Sequence, residues 1–322
     1  MHKEEGFFMS NILFPAGLSI NFSDLNIEMV QYYSKKWDLV HTQMSKGVFK
    51  AKMTVAHTPR IQLATNAYTT GLMTKGDFPK GTIVLNCHMD NNTPYTFQNT
   101  PILPNEIIVM TKGDEIDRIS SGPFTTHNIT IDEQLFYEAF YTFFGETPYY
   151  SLKLKRFYIK EDMISVFHQT INNWISYLTD TLPKLDIKPI YNKIEYEILS
   201  QLFTCLAFPS SKKDKKKFPI ETVRDFLHKN MHQDIDITLI TQEFNISESQ
   251  LHNLFKSNYG ISPKKYLQIL RLNAARKALQ IADPRQDTVS DIALKFNFLT
   301  MSYFSKEYKE MFGQTPSQTL KK

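Results

Sequence analysis

Residues 288–316 read TVSDIALKFNFLTMSYFSKEYKEMFGQTP, and their spacing decides the architecture of the last third of the chain. Val289, Ile292, Ala293 and Phe296 recur at helical intervals, and Asp291 sits in the first turn, where the helix dipole favours an anion. Asn297 follows, a residue that tolerates the left-handed backbone a helix end requires. Beyond Phe298 and Leu299, a second helix lines up Met301, Phe304, Tyr308, Met311 and Phe312 on one side. Two helices joined by so tight a turn form a helix-turn-helix candidate, whose second helix enters a DNA major groove.

Repetition sharpens this reading. Residues 236–263, DITLITQEFNISESQLHNLFKSNYGISP, repeat the design with Ile237, Ile240 and Phe244, then the turn Asn245, Ile246, Ser247, then Leu251, Leu254 and Phe255. Each copy closes alike, on Gly260 with Pro263 and on Gly313 with Pro316, a glycine cap followed by a proline that stops continuation. The second copy holds one extra residue in its turn. Between them KKYLQILRLNAARKALQ, residues 264–280, reads as one linker helix, and IETVRDFLHKNM, residues 220–231, as a bracing helix carrying Val223, Phe226, Leu227 and Met231.

On these residues the segment 218–322 resembles the DNA-binding domain of the AraC/XylS family of bacterial transcription regulators. The family signature over the second copy is met by Ile292, Ala293, Phe298, Ser302, Tyr303, Phe304, Tyr308, Lys309, Gly313, Thr315, Pro316 and Ser317. Asn297 departs from it, standing where the family usually has glycine, but asparagine reaches the same backbone conformation. The linker run Arg271 to Arg276 is also weakly similar to the branch containing ethanolamine-utilisation regulators.

The earlier part of the chain has a different texture. Segments 47–58, 60–68, 71–76, 82–89, 106–119 and 124–131 are short, rich in β-branched residues and often alternating, with Pro59, Gly71, Gly76, Gly81, Pro94, Pro104, Gly113 and Gly122 between them. Strands in such a series predict an antiparallel sandwich or barrel, and the resemblance implies a cupin-like one. From Asp132 the pattern turns helical: residues 132–145 run from an acidic start to Gly145. Two longer stripes follow, Ile164, Phe167, Ile171, Trp174, Ile175, Leu178 and Tyr191, Ile194, Ile198, Leu202, Leu206. Each stripe suits either the cover of the barrel or a homodimer seam. Residues before 45 show only weak helical character near 23–33.

The expected fold class is therefore α+β: an N-terminal cupin-like antiparallel β-barrel or sandwich with flanking helices (1–207, strands about 47–131, helices about 132–207), a basic linker (208–217), and a C-terminal all-α domain (218–322). That last domain holds two helix-turn-helix motifs at about 236–259 and 288–312, joined by the linker helix. Charge agrees with this division. The chain carries a net charge of +4, residues 209–217 hold five lysines (Lys212, Lys213, Lys215, Lys216, Lys217) against one aspartate, and 218–322 hold fourteen basic against eleven acidic side chains. The lysine run itself reads as a solvated linker.

If the second helix of each copy enters a groove, its outward N-terminal residues reach the bases. In the first copy these are Ser249, His252 and Asn253; in the second Met301, Ser302, Ser305 and Lys306. Asn253 suits adenine, His252 and Lys306 suit guanine, and Met301 suits a thymine methyl. Ser247, an N-cap, with Thr300 and Lys309, are placed for phosphates. Two reading helices on one connector predict half-sites about one turn, ~10 bp, apart.

Enzymatic signatures are weak. His57, Cys87, His88 and His127 lack metal-ligand spacing, and neither a phosphate-cradling glycine loop nor a nucleophile elbow is present. Catalytic residues, a metal and a cofactor are not expected. Cys87 and Cys205 read as free thiols, and the absence of an apolar span or leader points to a cytoplasmic protein without membrane contact. The expected function is a sequence-specific DNA-binding transcription regulator, an activator, whose N-terminal domain senses a small-molecule effector or dimerises. The expected partners are double-stranded DNA, that effector, a second copy of the chain and RNA polymerase. The alternatives are a regulator controlled by a protein partner or by dimerisation alone, and a metal-dependent cupin enzyme fused to a DNA-binding domain. Aromatic Tyr68, Tyr95, Phe97 and Phe124 suit an organic ligand but suit a packed core better, and no effector-contacting residue is assigned.

Overall fold

The computed structural model describes residues 19–34, 37–89, 93–145, 147–148, 152–153, 155–181, 190–207 and 220–321. The lysine run of the expected linker lies outside the described residues. Among these described residues thirteen strands, all paired antiparallel, form two sheets. The first, of eight strands, contains β1 (Ser19–Leu25), β3 (Ala51–His57), β4 (Ile61–Tyr68), β11 (Phe124–Asp132), β6 (Thr82–His88), β9 (Glu106–Met110), β12 (Arg156–Ile159) and β13 (Leu206–Ala207), in that spatial order. The second contains β2 (Val40–Gln43), β5 (Leu72–Gly76), β10 (Ile116–Ser120), β7 (Tyr95–Phe97) and β8 (Thr100–Pro101). Helices are α1 (Ile27–Tyr33), α2 (Glu133–Phe144), α3 (Ile164–Ser176), α4 (Tyr191–Thr204), then α5 (Ile220–Asn230), α6 (Ile237–Phe244), α7 (Glu248–Tyr259), α8 (Pro263–Ile281), α9 (Val289–Lys295), α10 (Met301–Phe312) and α11 (Pro316–Leu320). Strand structure thus reaches beyond 47–131, to β1 and β2 before it and to β12 and β13 after it. Those strands are short or broken by polar residues, so their periodicity is weak.

Three cores stack through the described residues. Side chains on a strand alternate between faces, and β6 shows what that produces when both faces are covered. Ile83, Leu85 and Cys87 join the helices α2, α3 and α4, whereas Val84 faces the second sheet. The apolar stripes of α3 and α4 both end in that first core: Phe167, Ile171, Ile175, Leu178, Ile194, Ile198 and Leu202 are buried within the chain against the first sheet. Of the two uses those stripes suit, they serve as cover for the sheet.

The second core lies between the sheets, where Tyr68 and Phe124 stack at 4.7 Å and Tyr95 packs beside Phe124 at 5.9 Å. The third belongs to the C-terminal helices, yet includes Met44, Met73 and Ile119 from the N-terminal region. The second sheet is therefore a shared wall, one face turned to the first sheet and the other to the helical module.

Acid acts on this arrangement through buried histidines. Burial pushes His41 and His127 down to about 3 and His228 to about 4. All three stay neutral when folded, while the unfolded chain takes up their protons near the ordinary histidine value of about 6.5. Their stabilisation is complete above that value and is lost as pH falls from about 6.5 toward 4, at up to ~1.4 kcal/mol per pH unit for each histidine. Urea unfolding at stepped pH should show the midpoint dropping below pH 6; a midpoint constant from pH 7 to 5 contradicts these assignments.

Candidate nucleic-acid interface

Each helix-turn-helix unit is assembled by the same local devices. In the first, Asp236 caps α6 by accepting from Leu239 N, and Asn245 ends it with φ 48°. Ser247 caps α7 by accepting from Gln250 N at 3.1 Å, and Gly260 closes α7 with φ 71°. In the second, Thr288 caps α9, Asn297 takes φ 61° in the turn, and Gly313 closes α10 with φ 73°. Asn297, the departure from the family pattern, adopts the left-handed conformation its chemistry permits. The turns hold three residues, 245–247, and five, 296–300, so the second is longer by two residues and not by the one expected, because α9 already ends at Lys295. Pro263 and Pro316 do more than stop the preceding helix. Each stands at the start of the next one, behind the caps Ser262 and Thr315.

Burial separates the two faces of the reading helices. On α7, Leu251, Phe255 and Tyr259 are buried, while Ser249, His252 and Asn253 are exposed. On α10, Phe304, Tyr308, Met311 and Phe312 are buried, while Ser302 and Lys306 are exposed and Ser305 is half-buried. Met301 is half-buried and packs against the helical core, so its apolar side chain also serves α10's own packing. Ser247, Thr300 and Lys309 are exposed at or beside the same helices. Linker helix α8 joins both units, with Tyr266, Leu267, Leu270, Leu272, Ala275 and Leu279 buried in their common core.

The contacts between this module and the N-terminal region have no counterpart in the spacing patterns. Gln43 Nε2 donates to Met311 O at 2.6 Å, Asn273 Nδ2 donates to Gln43 O at 2.8 Å, and Gly47 N donates to Glu310 O at 2.9 Å. Lys46 pairs with Glu310. Across the other unit, the β7–β8 turn takes positive φ at Gln98 and Asn99, as a two-residue hairpin requires, and Asn99 Oδ1 accepts from Tyr259 and from Arg224 Nη1. Arg224 also pairs with Asp117 on β10. The capping glycines sit against the same region: a Cβ on Gly260 would lie 2.5 Å from Ser121 Oγ, and one on Gly313 2.4 Å from Val48 Cγ2. The C-terminal ends of both reading helices are thus held by the N-terminal region, while their first turns remain open.

The histidines weighed for metal chemistry are used structurally. His127 Nδ1 shares a hydrogen bond with Thr65 Oγ1 at 2.9 Å, His88 Nε2 lies 3.1 Å from Ile102 O, and His57 Nε2 lies 2.9 Å from Gln62 Nε2. Burial pushes the Cys87 thiol up to about 12, which keeps it protonated. Among the described residues there is no cluster of three or more His, Cys, Asp or Glu able to hold a metal ion, and no helix is long and apolar enough to cross a membrane.

Two capped helix pairs with open first turns, fixed to one linker helix, define a tandem helix-turn-helix DNA-binding module. A helix-turn-helix domain family matches residues 240–322. The "Probable thc operon regulatory protein" of Rhodococcus erythropolis is 33% identical over 97 residues, 30% of this chain and 29% of that protein. The XylDLEGF operon transcriptional activator of Pseudomonas putida is 30% identical over 101 residues, 31% of this chain and 32% of that protein. A solved structure described as "a probable AraC family transcriptional regulator" from Rhodopseudomonas palustris is 30% identical, covering 32% of this chain and 94% of that one, with a TM-score of 0.30. The C-terminal module is a helix-turn-helix domain, similar to those of AraC/XylS-family transcription regulators. The similarity spans about a third of the length of those curated relatives.

Proposed function

We propose that the whole chain is a sequence-specific transcription regulator, an activator, that reads two successive major grooves with α7 and α10. The observation that carries this reading is the pairing of two open helix faces, Ser249, His252, Asn253 on one and Ser302, Ser305, Lys306 on the other, on a single connector. The domain division expected at 1–207, 208–217 and 218–322 fits a sensing or dimerising N-terminal part, cupin-like in type, and a DNA-reading C-terminal part. A small-molecule effector, a second copy and RNA polymerase are the partners of such a cytoplasmic regulator. Contacts at the closed ends of both reading helices support control by the N-terminal part. A change in the shared sheet would alter how the two helices are presented, a coupling between distinct sites. Because those contacts would serve equally if a protein partner or dimerisation moved the sheet, regulation without a small ligand is the second reading.

Base-reading and phosphate-binding residues respond differently to substitution. Asn253→Ala and Lys306→Ala should each weaken binding to a duplex selected from random sequence by about 1–3 kcal/mol, a factor of roughly 5 to 150, with little change on unselected DNA. Lys309→Ala should weaken both alike and reduce the salt slope by about one. Gel shifts at fixed salt separate the cases; equal losses on both duplexes for Lys306→Ala would make it a phosphate contact only.

A further inference from the structure

Strand β10 reads Ile116-Asp117-Arg118-Ile119-Ser120, and alternation sends its side chains two ways. Asp117 and Ile119 meet the helical module, through Arg224 and through the third core. Ile116 and Arg118 point between the sheets, into a cavity of about 460 Å³. That volume lies within the ~300–1,000 Å³ of small-molecule sites. The walls are largely apolar, with Phe22, Trp37, Met53, Val84, Phe97 and Met110 among them.

Arg118 is out of place in such a wall. It is 7% exposed, and among the described residues its guanidinium meets only neutral acceptors, Asn128 Oδ1 at 3.3 Å and the hydroxyls of Tyr68 and Tyr95. Its Nε has no hydrogen-bond partner among the described residues, and no Asp or Glu is among the described residues lining the cavity. A guanidinium cannot shed its charge, and burying one without a counter-ion is costly. His41, on the same wall, is held neutral by burial and by the charge of Arg118, so it adds no second positive charge and offers no counter-ion. Nearby, Asn66 Oδ1 is buried without a donor. A second cleft, of about 490 Å³ between α1 and helices α8 and α11, makes no such demand, because its Arg276 is paired with Glu28 at 2.6 Å.

We propose that the cavity between the sheets binds a small organic carboxylate, its apolar body against the aromatic and aliphatic walls and its carboxylate on the guanidinium of Arg118. The planar fork of arginine matches a carboxylate through two parallel hydrogen bonds, and the ligand supplies the missing negative charge. The inference rests on the sensor reading and deepens it by naming the ligand class. It also gives that reading a route, since the residue beside the anchor, Asp117, holds Arg224 of the helical module.

Thermal unfolding of the full chain without DNA tests the proposal, so the result is independent of whether the module binds DNA, which the gel shifts report separately. The probes are hexanoate, decanoate and 3-phenylpropanoate, each beside its primary amide. At least one carboxylate should raise Tm by about 3 °C or more at concentrations tenfold above its Kd, with its amide giving little. Arg118→Met should abolish the gain while leaving the unliganded Tm equal or higher, because an unneutralised charge has been removed. Arg118→Lys, which keeps the charge and loses the fork, should retain a reduced gain; should Arg118→Met fail to fold, this variant and the amide comparison carry the test. The proposal is overturned if no carboxylate stabilises the protein, if amides do so equally, or if the gain persists unchanged in Arg118→Met or in Arg118→Lys.

Discussion

Phe304→Ala should lower the unfolding free energy by about 3–5 kcal/mol and abolish binding to a selected duplex. Phe304 is fully buried on α10, 4.9 Å from the ring of Phe298 and 5.5 Å from that of Tyr308. Those rings come from the turn and from the helix itself, so the cavity left by truncation lies where the reading helix is seated. The neighbouring Ser302→Ala, on the exposed face, should leave stability within about 0.5 kcal/mol. Urea unfolding followed by circular dichroism, paired with a gel shift, checks both. A stable Phe304→Ala would mean that α10 is not packed as described.

Glu195→Ala should have the largest effect on the N-terminal region, at about 3 kcal/mol. The carboxylate is fully buried on α4 and holds the β3–β4 turn by four contacts. Oε1 accepts from Thr58 Oγ1 at 2.7 Å and from Arg60 N at 2.9 Å, and Oε2 accepts from Arg60 Nε at 2.8 Å and pairs with Nη2 at 2.8 Å. Removing one partner of a buried pair leaves the other uncompensated, which costs more than the pair contributes. That figure is the low end of the ~3–5 kcal/mol for breaking a buried pair, because Arg60 retains some access to water. Glu195→Gln, which keeps the shape and some of the hydrogen bonds, should lose less. A melting temperature unchanged in Glu195→Ala would contradict the role given to this carboxylate.

The helical third was legible because its signals are local. Ile237, Ile240 and Phe244, or Phe304, Tyr308 and Phe312, repeat at helical spacing, and the caps Ser247, Gly260 and Gly313 lie beside the helix ends they close. Asn245 and Asn297 carried the turn conformation in their chemistry. The antiparallel sheets were legible as a class from alternation and punctuation. What covers each face was not. Met73 and Ile119 read as ordinary strand residues, and nothing local says that the C-terminal helices bury them. Asp117 and Arg224 are 107 residues apart, and Asn99 and Tyr259 are 160 apart, so their pairing depends on the completed fold. Arg118 left a trace that strand reading passes over: a charge on the same face as Ile116 in a short apolar strand. That face becomes notable only once the cavity is seen.

The central claim is that α7 and α10 form one stiff pair reading two grooves on the same side of the duplex, and spacing tests it most directly. In a selected duplex with half-sites about 10 bp apart, inserting about 5 bp turns the second half-site to the opposite side. The account predicts that this insertion costs as much affinity as scrambling one half-site outright. Unchanged binding after the insertion would contradict it, for it would mean that the two helices are not held as a unit, or that only one of them reads DNA.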